Sequence, residues 1–357
     1  MSIKKELFGK LSNGSEAYIY ELTNANGMRL SISEFGAAIV KLITKDRYGN
    51  KLDVVCGYDE LHSYEYGSGY QGAVVGRWAN RIANGRFVMD GREYNLTLNK
   101  APNHIHGGSE GKLSHVVWSG KIVDDGDEPS LRLFFVSPDG DNGYPGNLMV
   151  SVTYTLTNDN EVVIHYEATT DKKTVINLTN HAYFNLGGYD SGSIYDHVLT
   201  VLADTYLETD QTSTPTGKIM SVEGTPFDFR SPKHVGEDID SSHPNIQSAG
   251  GYDHCFNFDG WQSYKREPSL GAKLYCEKSG IEMQVITNQP CVQIYSANWM
   301  NDADFPFKGG CPQVPRNAIC LETQRMPDSM NHDGFTKCTL DVDEKYDYTT
   351  VYKFNIK

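Results

Sequence analysis

Two short runs in the amino-acid sequence hold the side chains best suited to moving protons. The first is Asn177-Leu178-Thr179-Asn180-His181-Ala182-Tyr183-Phe184-Asn185-Leu186-Gly187-Gly188, which sets a histidine among three asparagines and two aromatics ahead of a glycine pair. The β-branched run Lys173-Thr174-Val175-Ile176 before it reads as a short strand, and Gly187-Gly188 ends any regular element. His181 therefore falls where a strand end meets a loop, a position from which a sheet can aim a polar group at a ligand. A structural histidine satisfied in a polar turn fits the same pattern. The second run is Ala318-Ile319-Cys320-Leu321-Glu322-Thr323-Gln324. On a strand, Ile319 and Leu321 point one way and Cys320, Glu322 and Gln324 the other. The carboxylate either lies on a solvated face or is buried for a purpose. Burial would raise its pKa and make it a better base.

Four further stretches carry directed polar groups. Gly76-Arg77-Trp78-Ala79-Asn80-Arg81-Ile82-Ala83-Asn84-Gly85-Arg86-Phe87 offers three arginines and two asparagines, donors that suit neutral hydroxyls as well as anions. Pairing of those arginines to surface carboxylates is the competing reading. His104-Ile105-His106 would put both rings on one face of a strand. With Glu110 nearby it is similar to the first half of a cupin metal motif, but the flanking glycines and the second half of the motif are missing, so no metal is expected. Gly250-Gly251-Tyr252-Asp253-His254 places an acid and a histidine after a glycine turn, where an aspartate often serves as a turn cap. Asn288-Gln289-Pro290-Cys291 opens an alternating strand with amides that could equally fill backbone hydrogen-bond gaps.

The elements that must position these groups are strands. Leu148–Thr157 alternates an apolar face with a Ser/Thr face, and Val162, Ile164, Tyr166 and Ala168 repeat the period, as do Leu131, Leu133 and Phe135, and Tyr352, Phe354 and Ile356. Lys273–Cys276 and Ile281–Ile286 flank Glu277-Lys278-Ser279-Gly280, a hairpin signal. Helical periodicity is confined to Asp59–Tyr66 and Lys233–Asp238, each good for a turn or two. Glycines and prolines are spread along the chain and no linker stands out, so residues 1–357 read as one all-β unit, a large antiparallel sandwich.

Composition narrows the function. A formal net charge of −14 over 357 residues argues against nucleic acid, whose phosphates need a basic surface. No apolar run approaches the roughly 18 residues of a membrane span, and the N-terminus shows no signal-peptide core. The seven cysteines form no C-x-x-C pair and read as reduced thiols of a cytoplasmic protein.

Taken in order, Gly76-Arg77 with Asn80-Arg81, His106-Gly107-Gly108, Asp139-Gly140 with Gly143-Tyr144-Pro145-Gly146-Asn147, Asn180-His181 with Tyr183-Phe184-Asn185, Tyr252-Asp253-His254 and Leu321-Glu322-Thr323-Gln324 resemble the hallmarks of the aldose 1-epimerase (galactose mutarotase) family. The resemblance implies a β-sandwich with a sugar cleft across one sheet, no cofactor, and interconversion of the α and β anomers of a free aldohexose such as galactose or glucose. It implies Glu322 as base and His181 as acid. It implies Asn80, Arg81, His106, Tyr183, Asp253 and Gln289 as residues that hold the sugar or orient the pair. His181 must carry its proton to act as the acid, and a nearby carboxylate such as Asp253 or Glu322 would favour the charged ring. The partner expected is a small monosaccharide, with the chain a monomer or weak dimer. Trp78, Cys291, Ala297, Arg325 and Ser329 depart from the usual pattern, and Arg325 keeps an acidic or phosphorylated hexose in play. A sugar-binding module without turnover is the non-enzymatic alternative.

Overall fold

The computed structural model describes residues 2–263 and 267–357. The alternating segments become strands that pair antiparallel. Leu148–Leu156 and Glu161–Thr170 form a hairpin with Val152 opposite Tyr166, and Ser269–Cys276 pairs Ile281–Thr287 across the turn at Gly280. They belong to a nine-stranded sheet in the order Ser119–Asp124, Ser130–Ser137, Leu148–Leu156, Glu161–Thr170, Tyr346–Ile356, Ile281–Thr287, Ser269–Cys276, His197–Val201, Lys233–His234. A seven-stranded sheet runs Pro215–Ser221, Thr205–Thr209, Asp253–Asn257, Cys291–Tyr295, Ile319–Gln324, Tyr183–Phe184, Val55–Cys56. The N-terminal strands, from Ile3–Lys10 to Lys51–Asp53, make a five-stranded meander.

Alternation decides how these sheets meet. Val150, Val152, Tyr154, Val285 and Phe354 of the large sheet share one buried cluster with Phe256, Val292, Ile294, Ile319 and Leu321 of the seven-stranded sheet, and with Leu22, Leu30 and Ile32 of the meander. Each such side chain contributes about 1.5–3 kcal/mol on burial. Two contacts tie the layers at the strand that carries Glu322. The Tyr352 hydroxyl donates to the Leu321 carbonyl at 2.9 Å, and the Tyr352 ring meets Phe184 at 5.0 Å. The protein is an all-β sandwich.

Helix is sparse among the described residues. Leu61–Tyr66 forms where periodicity predicts it. Lys233–Asp238 does not turn helical: Lys233 and His234 pair with Leu199 and Val198 as an edge strand. The sequence reading overlooks a second helix, Pro244–Ala249. Its signals are proline at the first turn, His243 accepting from the Asn245 N–H at 3.3 Å, and Gly250 at φ 68° past the end.

Four buried histidines, His104, His181, His197 and His254, and the half-buried His115 have pKa values pushed down to about 4, chiefly by desolvation. In the unfolded chain each returns to its ordinary value of about 6.5. Between those values the unfolded state binds protons that the folded state refuses, so this contribution to stability is intact above about pH 6.5 and lost as pH falls toward 4. The melting temperature at about pH 5 is therefore expected to be clearly below that at about pH 7.5. An equal or higher value at the lower pH, by calorimetry, would refute this account.

Candidate functional site

Four adjacent strands of the seven-stranded sheet build the floor of a cleft. Asp253 lies opposite Tyr295 and Cys255 opposite Gln293. Gln293 lies opposite Glu322, Tyr295 opposite Cys320, and Tyr183 opposite Cys320. Residues directly opposite share a face, and Ile294 and Leu321 occupy the other face, in the core. The register therefore gathers Asp253, Gln293, Tyr295, Cys320, Glu322 and Tyr183 on the side turned away from the large sheet. Gln293 Nε2 donates to Asp253 Oδ1 at 2.6 Å, and Arg81 Nη2 reaches Asp253 Oδ2 at 3.4 Å.

His181 joins two two-residue strands, Thr179–Asn180 and Tyr183–Phe184, which pair with different neighbours. Its backbone is held at both ends, N–H to the Ala73 carbonyl at 2.9 Å and C=O to the Gly72 N–H at 3.0 Å. Asn180 locks the bend by donating to the Gly72 carbonyl and accepting from the Ala182 N–H. The ring stands with Nε2 3.6 Å from Glu322 Oε1, both side chains buried. That is too long for a hydrogen bond, so each group is left to face a ligand. A second wall comes from a short bridge pairing Arg81 with Ile105. Asn80 and His106 sit on it in left-handed conformations, at φ 64° and 50°. The Asn80 N–H donates to His106 Nδ1 at 3.1 Å, which leaves His106 Nε2 to carry the ring proton. Tyr70 stacks near both histidines, at 4.6 Å from His106 and 5.7 Å from His181. Trp299 closes the rim, 66% exposed, its indole lying over Gly250. The cleft encloses about 680 Å³, ample for a monosaccharide.

A model of the aldose 1-epimerase family matches residues 18–353. The chain belongs to the aldose 1-epimerase family. Galactose mutarotase of Bos taurus is 41% identical over 356 residues, covering 100% of this chain and 99% of the relative. Aldose 1-epimerase of Escherichia coli strain K12 is 34% identical, with 96% of each chain covered. The crystal structure of galactose 1-epimerase from Lactobacillus acidophilus superimposes with a TM-score of 0.86 at 29% identity, covering 99% of this chain and 98% of the other.

Within this aldose 1-epimerase-family chain the cleft brings together His181, Glu322, Asn80, Arg81, His106, Tyr183 and Asp253. Gln289 is a correction. It lies outside the cleft, buried, donating to the Tyr346 hydroxyl at 2.9 Å. It precedes its strand, several residues beyond the row that faces the sugar space, and Gln293 is the amide beside Asp253. His104 and His106 do not share a face, because the positive φ at His106 breaks the alternation. His104 turns inward between the Tyr144 hydroxyl at 2.6 Å and the Thr97 carbonyl at 2.7 Å, so a cupin-like pair is ruled out by geometry. The three arginines of one stretch have three fates. Arg77 is buried on four backbone carbonyls and the Ser137 hydroxyl, Arg86 is exposed beside Glu93, and Arg81 faces the cleft. Arg325 lies over the Tyr348 ring at 4.9 Å and does not line the cleft. Tyr70, Tyr295, Gln293 and Trp299 escaped the sequence reading. Tyr295 and Gln293 were legible only as members of an alternating strand, Trp299 not at all.

Burial dominates the electrostatics. It pushes Glu322 well above the ordinary carboxylate range, assisted by the negative charge of Asp253 and opposed by Arg81. It pushes His181 down to about 4, outweighing Asp253, which favours the charged ring. Asp253 thus favours the charged ring, as expected, but the larger effect of desolvation opposes it. Among the described residues, one group of possible metal ligands stands here, His181, Cys320 and Glu322.

Gly107 fixes the wall that carries His106. At φ 84°, a Cβ there would stand 1.8 Å from the Gly76 carbonyl oxygen. Gly91 has a similar φ of 76° in an open hairpin turn with nothing within 4 Å. Gly91→Ala is expected to cost about 1–2 kcal/mol from the left-handed backbone alone. Gly107→Ala is expected to cost clearly more and to displace His106. Equal losses in urea denaturation would show that the close approach is not a constraint.

Proposed function

We propose that this protein interconverts the α and β anomers of free aldohexoses such as galactose and glucose, with Glu322 as base and His181 as acid. The observation that carries the assignment is the 3.6 Å separation of His181 Nε2 and Glu322 Oε1 at the floor of a sugar-sized cleft. A pyranose is a hemiacetal. Its ring opens when the C1 hydroxyl loses a proton and the ring oxygen gains one, and both oxygens are bonded to the same carbon. The acid and the base must therefore stand within a few ångströms of each other, as this pair does. Rotation about C1–C2 then presents the other aldehyde face, the two side chains exchange roles, and the ring closes as the other anomer.

The proton inventory supports this chemistry. A neutral imidazole beside a protonated carboxyl holds as many protons as an imidazolium beside a carboxylate. Burial favours the first arrangement. Sugar hydroxyls that donate to Glu322 and accept from His181 favour the second, so the substrate itself helps to set the reactive form. His106 Nε2, Arg81, Asn80, Asp253 and Tyr183 are available to the remaining hydroxyls, and Trp299 offers an apolar face to the C–H side of the ring. Under this reading the chain works as one unit over residues 1–357, on a free monosaccharide, without cofactor. It acts as a monomer or weak dimer in the cytoplasmic metabolism of hexoses. A phosphorylated hexose has less support. Arg325 points elsewhere, and among the described lining residues the lysine and arginine side chains are Arg81, already beside Asp253, and Lys100.

Optical rotation of freshly dissolved α-galactose tests the assignment. Glu322→Gln and His181→Asn are each expected to lower kcat by about 10²–10⁴-fold while the fold, by circular dichroism, is retained. Full activity in either variant would remove that residue from the mechanism. Calorimetric sugar binding by a wild-type protein that does not accelerate mutarotation would leave a binding module. Galactose is also expected to change the emission of Trp299, the most exposed of the described tryptophans, and a signal unchanged between wild type and Trp299→Phe would place the sugar away from the rim.

A further inference from the structure

Cys320 takes no part in the proposed proton transfers, yet it stands beside both groups that do. It precedes Glu322 by two residues on one strand, so the two side chains share a face. Its Sγ lies 3.6 Å from His181 Nδ1. One ligand atom from each of Cys320, His181 and Glu322 can be chosen so that all three lie within 4.8 Å of one another. All three residues are buried. Bonds of about 2.3 Å to sulfur and 2.0–2.1 Å to imidazole nitrogen, at a tetrahedral angle, put those two ligand atoms about 3.6 Å apart. The Cys320–His181 pair already has that spacing. Glu322 Oε1 faces the other ring nitrogen, Nε2, at 3.6 Å, so the ion takes a single nitrogen of the ring and the carboxylate must swing toward it; among the described residues Glu322 Oε2 has no hydrogen-bond partner to hold it back. His181 and Glu322 line the cleft, so a fourth ligand, water or an anion, would come from that side.

We propose that Cys320, His181 and Glu322 form a binding site for a thiophilic divalent cation such as Zn2+ or Cd2+, and that the bound ion reversibly blocks the sugar reaction. This rests on the assignment of His181 and Glu322 as the acid–base pair, since the ion occupies the same two side chains. Binding forms a metal–thiolate bond and releases the Cys320 thiol proton to solvent; no oxidant or reductant is needed. The ion is an inhibitor here, competing with the sugar. Among the described residues, Cys311 is the cysteine that is not fully buried, and no candidate ligand group includes it.

The test uses the whole chain in a Cys311→Ser background, so that the partly exposed thiol cannot contribute. Cadmium chloride is titrated while the ultraviolet sulfur-to-cadmium charge-transfer band is followed, and mutarotation of α-galactose is measured in the same samples with Cd2+ or Zn2+. The expected result is a saturable band, inhibition over the same metal range, and recovery with a chelator. In Cys320→Ser, checked for fold by circular dichroism, the band is expected to vanish. Mutarotation should persist, and the inhibitory metal concentration should rise on the order of 10- to 100-fold, the scale of weakened metal sites. Cys320→Ala serves if the serine variant fails to fold. Absence of the band in the parent protein, or its persistence without Cys320, would overturn the proposal. A band that titrates normally in a protein without mutarotase activity would support the metal site and count against the acid–base assignment alone.

Discussion

The site depends on the register of three antiparallel strands. Glu322 faces the cleft because it is paired with Gln293, and Gln293 because it is paired with Cys255, two residues from Asp253. A slip of one residue would turn Glu322 into the apolar layer and bring Leu321 to the sugar side. What forbids the slip is the inward face. Ile319, Leu321, Val292 and Ile294 are fully buried, and exchanging any of them for a carboxylate or an amide would cost several kcal/mol. The Tyr352 hydroxyl, bonded to the Leu321 carbonyl, pins the same strand from the opposite sheet. The large sheet thus has no residue in the cleft and yet decides which residues are.

This arrangement carries a cost that a ligand can relieve. Glu322 Oε2, Arg81 Nε and Gln293 Oε1 are buried without hydrogen-bond partners, and each unsatisfied group costs about 1–3 kcal/mol. Asn80 and His106 add left-handed backbone. The stability that tolerates these features comes from the continuous core of the sandwich and from ties such as Arg77, whose guanidinium gathers the carbonyls of residues 137, 138, 145 and 146. Arg77 and Arg81 lie four residues apart and do different work. One builds the wall and the other faces the cleft.

The same pair shows what the sequence could reveal. Alternation identified the strands of the large sheet, because one buried face and one open face leave a period of two that depends only on neighbouring residues. The strands around Glu322 were harder, since the run 319–324 is buried on both faces and its period is masked. Arg77, Arg81 and Arg86 are chemically identical in a linear reading; only the tertiary fold separates them. His104 and His106 look like one face of a strand until the positive φ of His106 turns one ring to Tyr144 and the other to the cleft. Gln289 entered the site through the family resemblance, since its local pattern left a gap-filling amide equally open, and its partner Tyr346 lies 57 residues away. The short helix at 244–249 did leave a local trace, in Pro244 and Gly250, but its six residues are too few for periodicity to show.

A reaction that runs equally well in both directions places a demand on its acid and its base. Each must give up in one half-cycle what it takes in the other, so a large difference in proton affinity would slow one of the halves. In water an imidazole with a pKa of 6.5 and a carboxylate with a pKa of 4.5 differ in a fixed sense. Burial moves the two in opposite directions, His181 down and Glu322 up, and so reverses the order of proton affinity that holds in solvent. Asp253 and Arg81 then act as a trim. Asp253 raises both groups and Arg81 lowers Glu322, and the two are themselves joined at 3.4 Å. The depth of the cleft is therefore part of the chemistry as well as of the binding. A shallower site with the same residues would bring both groups back toward their solvent order, with the proton on the imidazole.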